Sequence, residues 1–151
     1  MNLTIGQALK IIREESFRAA LYSICPISYT YTEHKQGEVF ARVFDVAERI
    51  NTAWEGPNVY SYRPRWRYSK AMGYTKGKNI YINEYRLPYM SVANMVRLLI
   101  HESAHIAGYT HGGNAIHWWN KRKKYASVPY CLGNAAKRVV QNSYSSMEEI
   151  V

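Results

Sequence analysis

Cysteines, acidic residues and long apolar runs are all scarce in this sequence. Only 2 cysteines, Cys25 and Cys131, occur in 151 residues, too few for the disulfide framework of a small secreted scaffold. No segment has the roughly 18 consecutive apolar residues that a membrane span requires, and residues 1–22 lack the apolar centre of a secretory signal. We therefore expect reduced thiols, no membrane span and a cytoplasmic location by default, although delivery by cell lysis or packaging in a particle would leave the same pattern.

The shortage of acidic residues makes the chain strongly basic. Its 20 Lys and Arg residues outnumber 11 Asp and Glu residues, so the net charge is +9, which attracts nucleic acids, acidic proteins and anionic surfaces. Basic residues concentrate at Lys121–Lys124 and at Arg63–Tyr68, and aromatic residues interleave the second run as they do on single-stranded nucleic-acid surfaces. A solvated charged face is the simpler interpretation, so nucleic acid is one candidate partner beside a protein or peptide substrate.

Length and composition favour a single α+β domain. Residues 1–151, of which 47% are hydrophobic, suffice for one core of ordinary size and not for two, and we expect a monomer. Apolar residues at helical spacing predict several amphipathic helices. The predicted helices are Thr4 to about Tyr22, Val39–Trp54, Val92–Ile106 with Ser91 as its N-cap, a short one over Ala115–Tyr125 and a last one over Asn134–Tyr144.

A tyrosine-rich stretch separates the second predicted helix from the third. Residues 59–83 contain alternating segments that are typical of β-strands. Thr75–Lys78 predicts a turn between an extended segment over Arg65–Tyr74 and another over Asn79–Asn83. We expect a small antiparallel sheet here, with the amphipathic helices packed on it.

The third predicted helix carries residues arranged for metal chemistry. His101 and His105 are four residues apart, so they lie one turn above each other and can present imidazole nitrogens to the same ion. Glu102 is one step round the helix, where its carboxylate lies beside the open position of the metal and can take a proton from water. This spacing predicts two ligands of one Zn²⁺ ion and a general base.

The third ligand must come from beyond the helix, because a catalytic zinc site uses three protein ligands and keeps a fourth position open. Gly108 can adopt a positive φ at low cost, end the helix and turn the chain so that His111 returns to the metal. His111 is therefore the predicted third ligand. His117 is its main rival, and Glu148 and Glu149 are more remote alternatives.

Residues 101–111 match the signature His-Glu-x-x-His-x-x-Gly-x-x-His at every fixed position, and the segment resembles the metzincin family of zinc peptidases. The resemblance implies a small zincin domain with the zinc motif on a central active-site helix behind a small sheet. It also implies an edge strand just before that helix, at Asn79–Asn83, which pairs with an extended substrate. The implied activity is that of a zinc-dependent endopeptidase, a hydrolase with Glu102 as its general base.

Two further residues are candidates for supporting such a site. Metzincins carry a methionine-containing turn beneath the metal, and Met147 is the only methionine after His111, although Glu148 follows it in place of the usual neighbours. Tyr130 is a candidate for steadying the oxyanion. The remaining histidine, His34, lies among polar residues and is expected to be an exposed loop residue.

The main rival function is that of a nucleic-acid-associated zinc protein that uses the basic surface. One form is an SprT-like protease, which combines a His-Glu-x-x-His helix with DNA contact but spaces its third ligand differently from this chain. The other is a non-catalytic binding module with a structural zinc ion. A pseudo-enzyme that has lost turnover is a further alternative, because motif residues alone do not establish catalysis. The open fourth coordination position favours the peptidase.

Overall fold

Six α-helices and a three-stranded sheet make up the part of the chain that the computed structural model describes, residues 3–112 and 118–144. This is the mixed α+β architecture that the sequence predicts. No helix within these ranges is both long and apolar enough to cross a membrane. The elements are α1 (Leu3–Ile12), α2 (Glu15–Ile24), α3 (Gln36–Arg49), β1 (Val59–Tyr62), β2 (Gly73–Lys76), β3 (Asn79–Asn83), a 3₁₀ helix (Leu87–Tyr89), α4 (Val92–Ile106), α5 (Trp118–Tyr125) and α6 (Val128–Ser143).

The N-terminal segment forms two helices, so the prediction of one continuous helix over residues 4–22 is wrong. In a continuous helix, the positions three and four residues after the buried Ile12 would face the core. Those positions hold the polar residues Glu15 and Ser16, which are exposed. The break between α1 and α2 instead turns Phe17 into the core, where it is 1% exposed. Burial of an aromatic ring therefore decides the break.

The helix α3 begins earlier than the predicted Val39 and ends well before the predicted Trp54. Asn51 adopts a left-handed φ of 58°, and its N–H donates to the carbonyl of Pro57 at 2.8 Å. The chain therefore turns back after α3, and the Trp54 side chain is 97% exposed. The predicted apolar face is otherwise correct, since Val39 and Val43 are fully buried.

The sheet has the strand order β1-β3-β2 and contains both kinds of pairing. The strands β2 and β3 form the predicted antiparallel hairpin, with Gly77 in its turn at a φ of 62°. The predicted bounds are wrong, because the first strand covers Gly73–Lys76 in place of Arg65–Tyr74, and the turn is therefore shorter than the predicted Thr75–Lys78. The strand β1 pairs with β3 in parallel, so the prediction of an antiparallel sheet is wrong for this pair. The resulting register places Thr75 opposite Ile80 and Tyr62 opposite Asn83.

The strand over Asn79–Asn83 is central, so its expected place at the sheet edge is wrong. It is hydrogen-bonded on both sides, and Ile80 and Ile82 are fully buried. A strand with such an apolar face gains most from a central position, where neighbours cover it. The strands at the two edges are β1 and β2, and β2 is the one that lies against the C-terminal half of α4, through Thr75 and Glu102.

The helix α4 runs through the middle of the molecule. Its bounds agree with the prediction, and the Ser91 hydroxyl accepts a hydrogen bond from the N–H of Asn94 at 3.1 Å, as an N-cap does. The helix packs against α1, α3, α6 and the strands β2 and β3. Residues on every side of it are therefore buried, including Met95, Leu99 and Ile100.

The C-terminal helices differ from their predictions mainly at their starts. The described part of the predicted Ala115–Tyr125 helix is α5, whereas α6 begins at Val128 and not at Asn134. Ser127 has extended backbone and Pro129 occupies the first turn of α6, which is a favourable place for a residue without an N–H. This start signal accounts for the additional length of α6.

Close contact between α4 and α6 depends on Gly133. A Cβ atom at this position would lie 3.1 Å from the carbonyl oxygen of Arg97 and 3.4 Å from Cβ of His101. Larger side chains would therefore push the two helices apart, next to a residue of the zinc motif.

We expect Gly133→Val to lower the free energy of unfolding by about 1–3 kcal/mol, because the added carbons overpack the α4–α6 contact. Gly37→Val is the matched control, since Gly37 lies in the first turn of α3 with open space around it and should change stability by about 0.5 kcal/mol or less. Urea denaturation of both variants measures the difference. Equal losses in the two variants would contradict the packing role of Gly133.

Candidate metal centre

Three histidines converge at the C-terminal end of α4. His101 and His105 lie on successive turns of the helix, and His111 follows it. One ring nitrogen from each lies within 4.8 Å of the others, and the Nε2 atoms of His101 and His105 are 3.2 Å apart. The structure therefore brings together the three predicted ligands at a separation that one metal ion can span.

The turn after α4 returns the chain to the helix. Gly108 has a φ of 102°, a conformation that favours glycine. The N–H of Ala107 donates to the carbonyl oxygen of Ser103 at 2.9 Å, and the N–H of Tyr109 donates to the carbonyl oxygen of Ala104 at 2.9 Å. These hydrogen bonds close the end of the helix and place His111 opposite the two helical ligands, as the sequence predicts.

A hydrogen bond to the ligand turn fixes the orientation of the His105 imidazole. The Nδ1 atom of His105 lies 2.9 Å from the carbonyl oxygen of Tyr109, so this nitrogen carries the proton and donates. The backbone of Pro129, in the first turn of α6, raises the pKa of His101 and partly offsets the effect of burial. With Nδ1 protonated, His105 has its Nε2 lone pair available toward His101, which is how outer hydrogen bonds prepare metal ligands.

Burial favours the neutral, metal-binding form of His101 and His111. Desolvation is the main cause that lowers the pKa of His101 to about 3, with further lowering by His105 and His111. Desolvation also lowers the pKa of His111, as do His105 and Lys124. Neutral imidazole is the ligating form.

The donor set fits a transition-metal ion. The Nδ1 atom of His111 is buried and, among the described residues, has no hydrogen-bond partner. Burying a ring nitrogen without a hydrogen-bond partner costs free energy. Three imidazole nitrogens suit zinc, copper, iron or nickel, so the residues present are able to hold such an ion.

Glu102 lies between the histidine cluster and the edge strand β2. Its side chain is buried, and Oε2 accepts a hydrogen bond from Oγ1 of Thr75 at 2.5 Å. Burial raises the pKa of the Glu102 carboxyl, while the Thr75 hydrogen bond and His105 oppose that rise. The sequence contained no signal for Thr75, because its role depends on β2 lying beside α4.

Tyr130 packs directly on the histidines. Its ring centroid is 4.8 Å from that of His101, edge to face, and 5.1 Å from that of His111. The Nζ atom of Lys124 lies 5.3 Å from the Tyr130 ring centroid, a cation–π arrangement. The structure thus places Tyr130 beside the predicted ligands, and it places one residue of the basic run 121–124 there as well.

An outer network supports the turn that carries His111. The hydroxyl of Tyr109 lies 2.9 Å from Nδ1 of His34, and Nε2 of His34 lies 3.4 Å from a Glu38 carboxylate oxygen. His34 is therefore a half-buried partner of the ligand turn, and the expectation of an exposed histidine is wrong. Gly112 lies under the Tyr31 ring so closely that a Cβ atom there would collide with it.

Several predicted site residues lie outside the described residues. His117, the rival third ligand, is one of them, and so are Met147, Glu148 and Glu149. Their roles remain predictions from the sequence. The three-histidine cluster forms without any of them.

Comparison of the chain with protein-family models, curated proteins and solved structures finds no significant match. The metzincin resemblance therefore rests on residues 101–111. The geometry of the cluster defines a candidate metal centre and assigns no family.

We expect purified protein to bind one Zn²⁺ ion and His111→Ala to weaken that binding by more than about 100-fold, because loss of even an outer partner costs about 10- to 100-fold. His117→Ala should leave the affinity unchanged. Elemental analysis and competition with a chelating dye measure both variants. Loss of zinc in His117→Ala with retention in His111→Ala would reverse the ligand assignment.

Proposed function

We propose that the protein is a zinc-dependent endopeptidase. The observation that carries this proposal is the buried Glu102 carboxylate, which is oriented by Thr75 next to three histidines able to hold one ion. A purely structural zinc site is closed by four protein ligands. Among the described residues the cluster offers three, which leaves a coordination position for substrate or water.

Zinc fits the site because its usual catalytic donor set is three protein ligands, often all histidine. When bound, it would polarise the scissile carbonyl and lower the pKa of the attacking water to about 7. His101, His105 and His111 would hold it. All three come from α4 and the turn that follows it, so one packed element positions the ion.

Glu102 would transfer the proton that hydrolysis requires. Its carboxylate accepts a proton from the water as the water oxygen bonds to the scissile carbon, and then donates that proton to the amine nitrogen as the carbon–nitrogen bond breaks. Thr75 occupies Oε2, so Oε1 is the oxygen left to face the water. Tyr130, whose ring packs on His101 and His111, is the proposed donor to the oxyanion.

The edge strand β2 gives the substrate a place to bind. One side of β2 pairs with β3, and the other side has no strand partner among the described residues. An extended peptide can add to such an edge through backbone hydrogen bonds. Because Thr75 of β2 contacts Glu102, a peptide paired along β2 would pass the proposed general base. This arrangement supports a peptide substrate. The substrate-pairing edge strand, which the metzincin resemblance implied at Asn79–Asn83, would then be β2.

We expect Glu102→Gln to retain zinc and lose cleavage by a factor of at least about 100, since general acid–base catalysis contributes about 10²- to 10⁴-fold. The amide has nearly the same shape as the carboxylate but cannot accept the proton. Casein cleavage with and without a chelator measures activity, and elemental analysis measures zinc. Zinc-loaded Glu102→Gln that cleaves as fast as the wild type would refute the role of Glu102.

Thr75→Val should lower kcat by about tenfold with little change in KM or zinc content, because the isosteric side chain removes the hydrogen bond that orients Glu102. Thr75→Ser keeps a hydroxyl and should restore most of the activity. Steady-state kinetics on a fluorogenic peptide separate kcat from KM. Loss of activity in Thr75→Ser with activity retained in Thr75→Val would indicate a packing role of the Thr75 methyl group instead.

A further inference from the structure

A concave surface lies away from the metal centre, at the opposite end of the sheet. The segment after β1 and the segment after β3 meet there around a cleft of about 480 Å³. Thr75, which contacts Glu102, is paired with Ile80 at one end of β3, whereas the cleft follows Tyr62 and Asn83 at the other end. The separation along β3 is three residues, or about 10 Å. The cleft is lined by Arg67, Tyr68, Glu84, Tyr85, Arg86, Pro88 and Tyr89.

Aromatic rings in and beside this cleft are unusually exposed. Tyr89 is 88% exposed, Tyr68 is 70% exposed and the neighbouring Trp66 is 66% exposed. The Trp66 and Tyr68 rings lie edge to face, with centroids 6.4 Å apart. Clustered exposed aromatic side chains mark surfaces that bind a partner, and planar rings of this kind accept stacked bases.

The charges of the cleft favour an anionic partner. Arg67 lies over the ring of Tyr85 at 5.8 Å. Arg86 is held by two hydrogen bonds from Nε and Nη2 to the carbonyl of Ser69, at 3.1 and 3.0 Å. The only acidic residue in the lining, Glu84, accepts a hydrogen bond from Nε of Arg63 at 2.6 Å. The guanidinium groups of Arg67 and Arg86 thus lie beside exposed rings, and Arg63 neutralises the Glu84 carboxylate.

We infer that this cleft binds single-stranded nucleic acid, with bases stacked on Tyr68 and Tyr89 and phosphates neutralised by Arg67 and Arg86. Stacking on exposed rings distinguishes this partner from an acidic peptide, which would use the arginines alone. Duplex DNA hides its base faces and would gain nothing from the tyrosines. The inference is independent of the proposed peptidase activity, because no residue of the metal centre takes part.

Fluorescence anisotropy of a labelled oligo(dT) of about 16 nucleotides tests the inference on the full chain at low salt. We expect the single strand to bind more tightly than a duplex of the same length, and its affinity to fall as salt rises. No binding at low salt would overturn the inference. Equal affinity for the duplex would also overturn it. So would an acidic peptide that competes for the site more strongly than unlabelled oligo(dT).

Matched variants locate the binding surface. Tyr89→Ala should weaken oligo(dT) binding by about tenfold through loss of stacking, whereas Trp54→Ala, at an even more exposed ring outside the cleft, should not. Arg67→Ala should reduce the slope of log affinity against log salt by about 0.7. Lys121→Ala removes the same charge from α5 and is the control. A greater loss of oligo(dT) affinity in Lys121→Ala than in Arg67→Ala would assign binding to α5 and reject the cleft. Since all four side chains are exposed, thermal melting should show unchanged folding.

Discussion

Burial of α4 on all sides is the constraint on which the rest of the structure depends. Several of the elements around this helix bring groups to the histidine cluster. The sheet brings Thr75 to Glu102, α6 brings Tyr130 and the backbone of Pro129 to His101, and the following turn brings His111. The close approach at Gly133 sets the distance of α6 from the helix. Core packing and site geometry are therefore consequences of one arrangement.

The same burial sets the chemistry of the cluster. A dry environment disfavours charged imidazole and charged carboxylate alike. It lowers the pKa of His101 and His111 and raises that of Glu102, while Thr75 and His105 counteract the rise for the carboxyl. Neutral nitrogen donors thus lie beside a carboxyl group whose raised pKa favours the exchange of a proton with water, a combination suited to metal-assisted hydrolysis. The contacts of His34 with Tyr109 and Glu38 support the turn that carries His111.

The two basic runs have different surroundings in the folded chain. Lys124, from the run on α5, faces Tyr130 and influences His111. The run over residues 63–68 leads instead into the cleft formed with residues 84–89, at the other end of β3 from Thr75. The basic residues behind the net charge of +9 therefore lie in two separate regions of the fold. The net charge by itself does not show how these residues are distributed.

Local spacing in the sequence alone determined the α+β class, the bounds of α4 and the relation of His101, Glu102 and His105, because helix geometry relates residues four positions apart without tertiary information. The glycine turn at 108 and the convergence of His111 were also predictable, since a positive φ is a local property. Tertiary packing decided the break between α1 and α2, the parallel pairing of β1 and the central place of β3. It also selected Thr75, His34 and Lys124 as neighbours of the site, because these contacts join residues far apart in the chain and depend on how the helices and the sheet bury their apolar faces together.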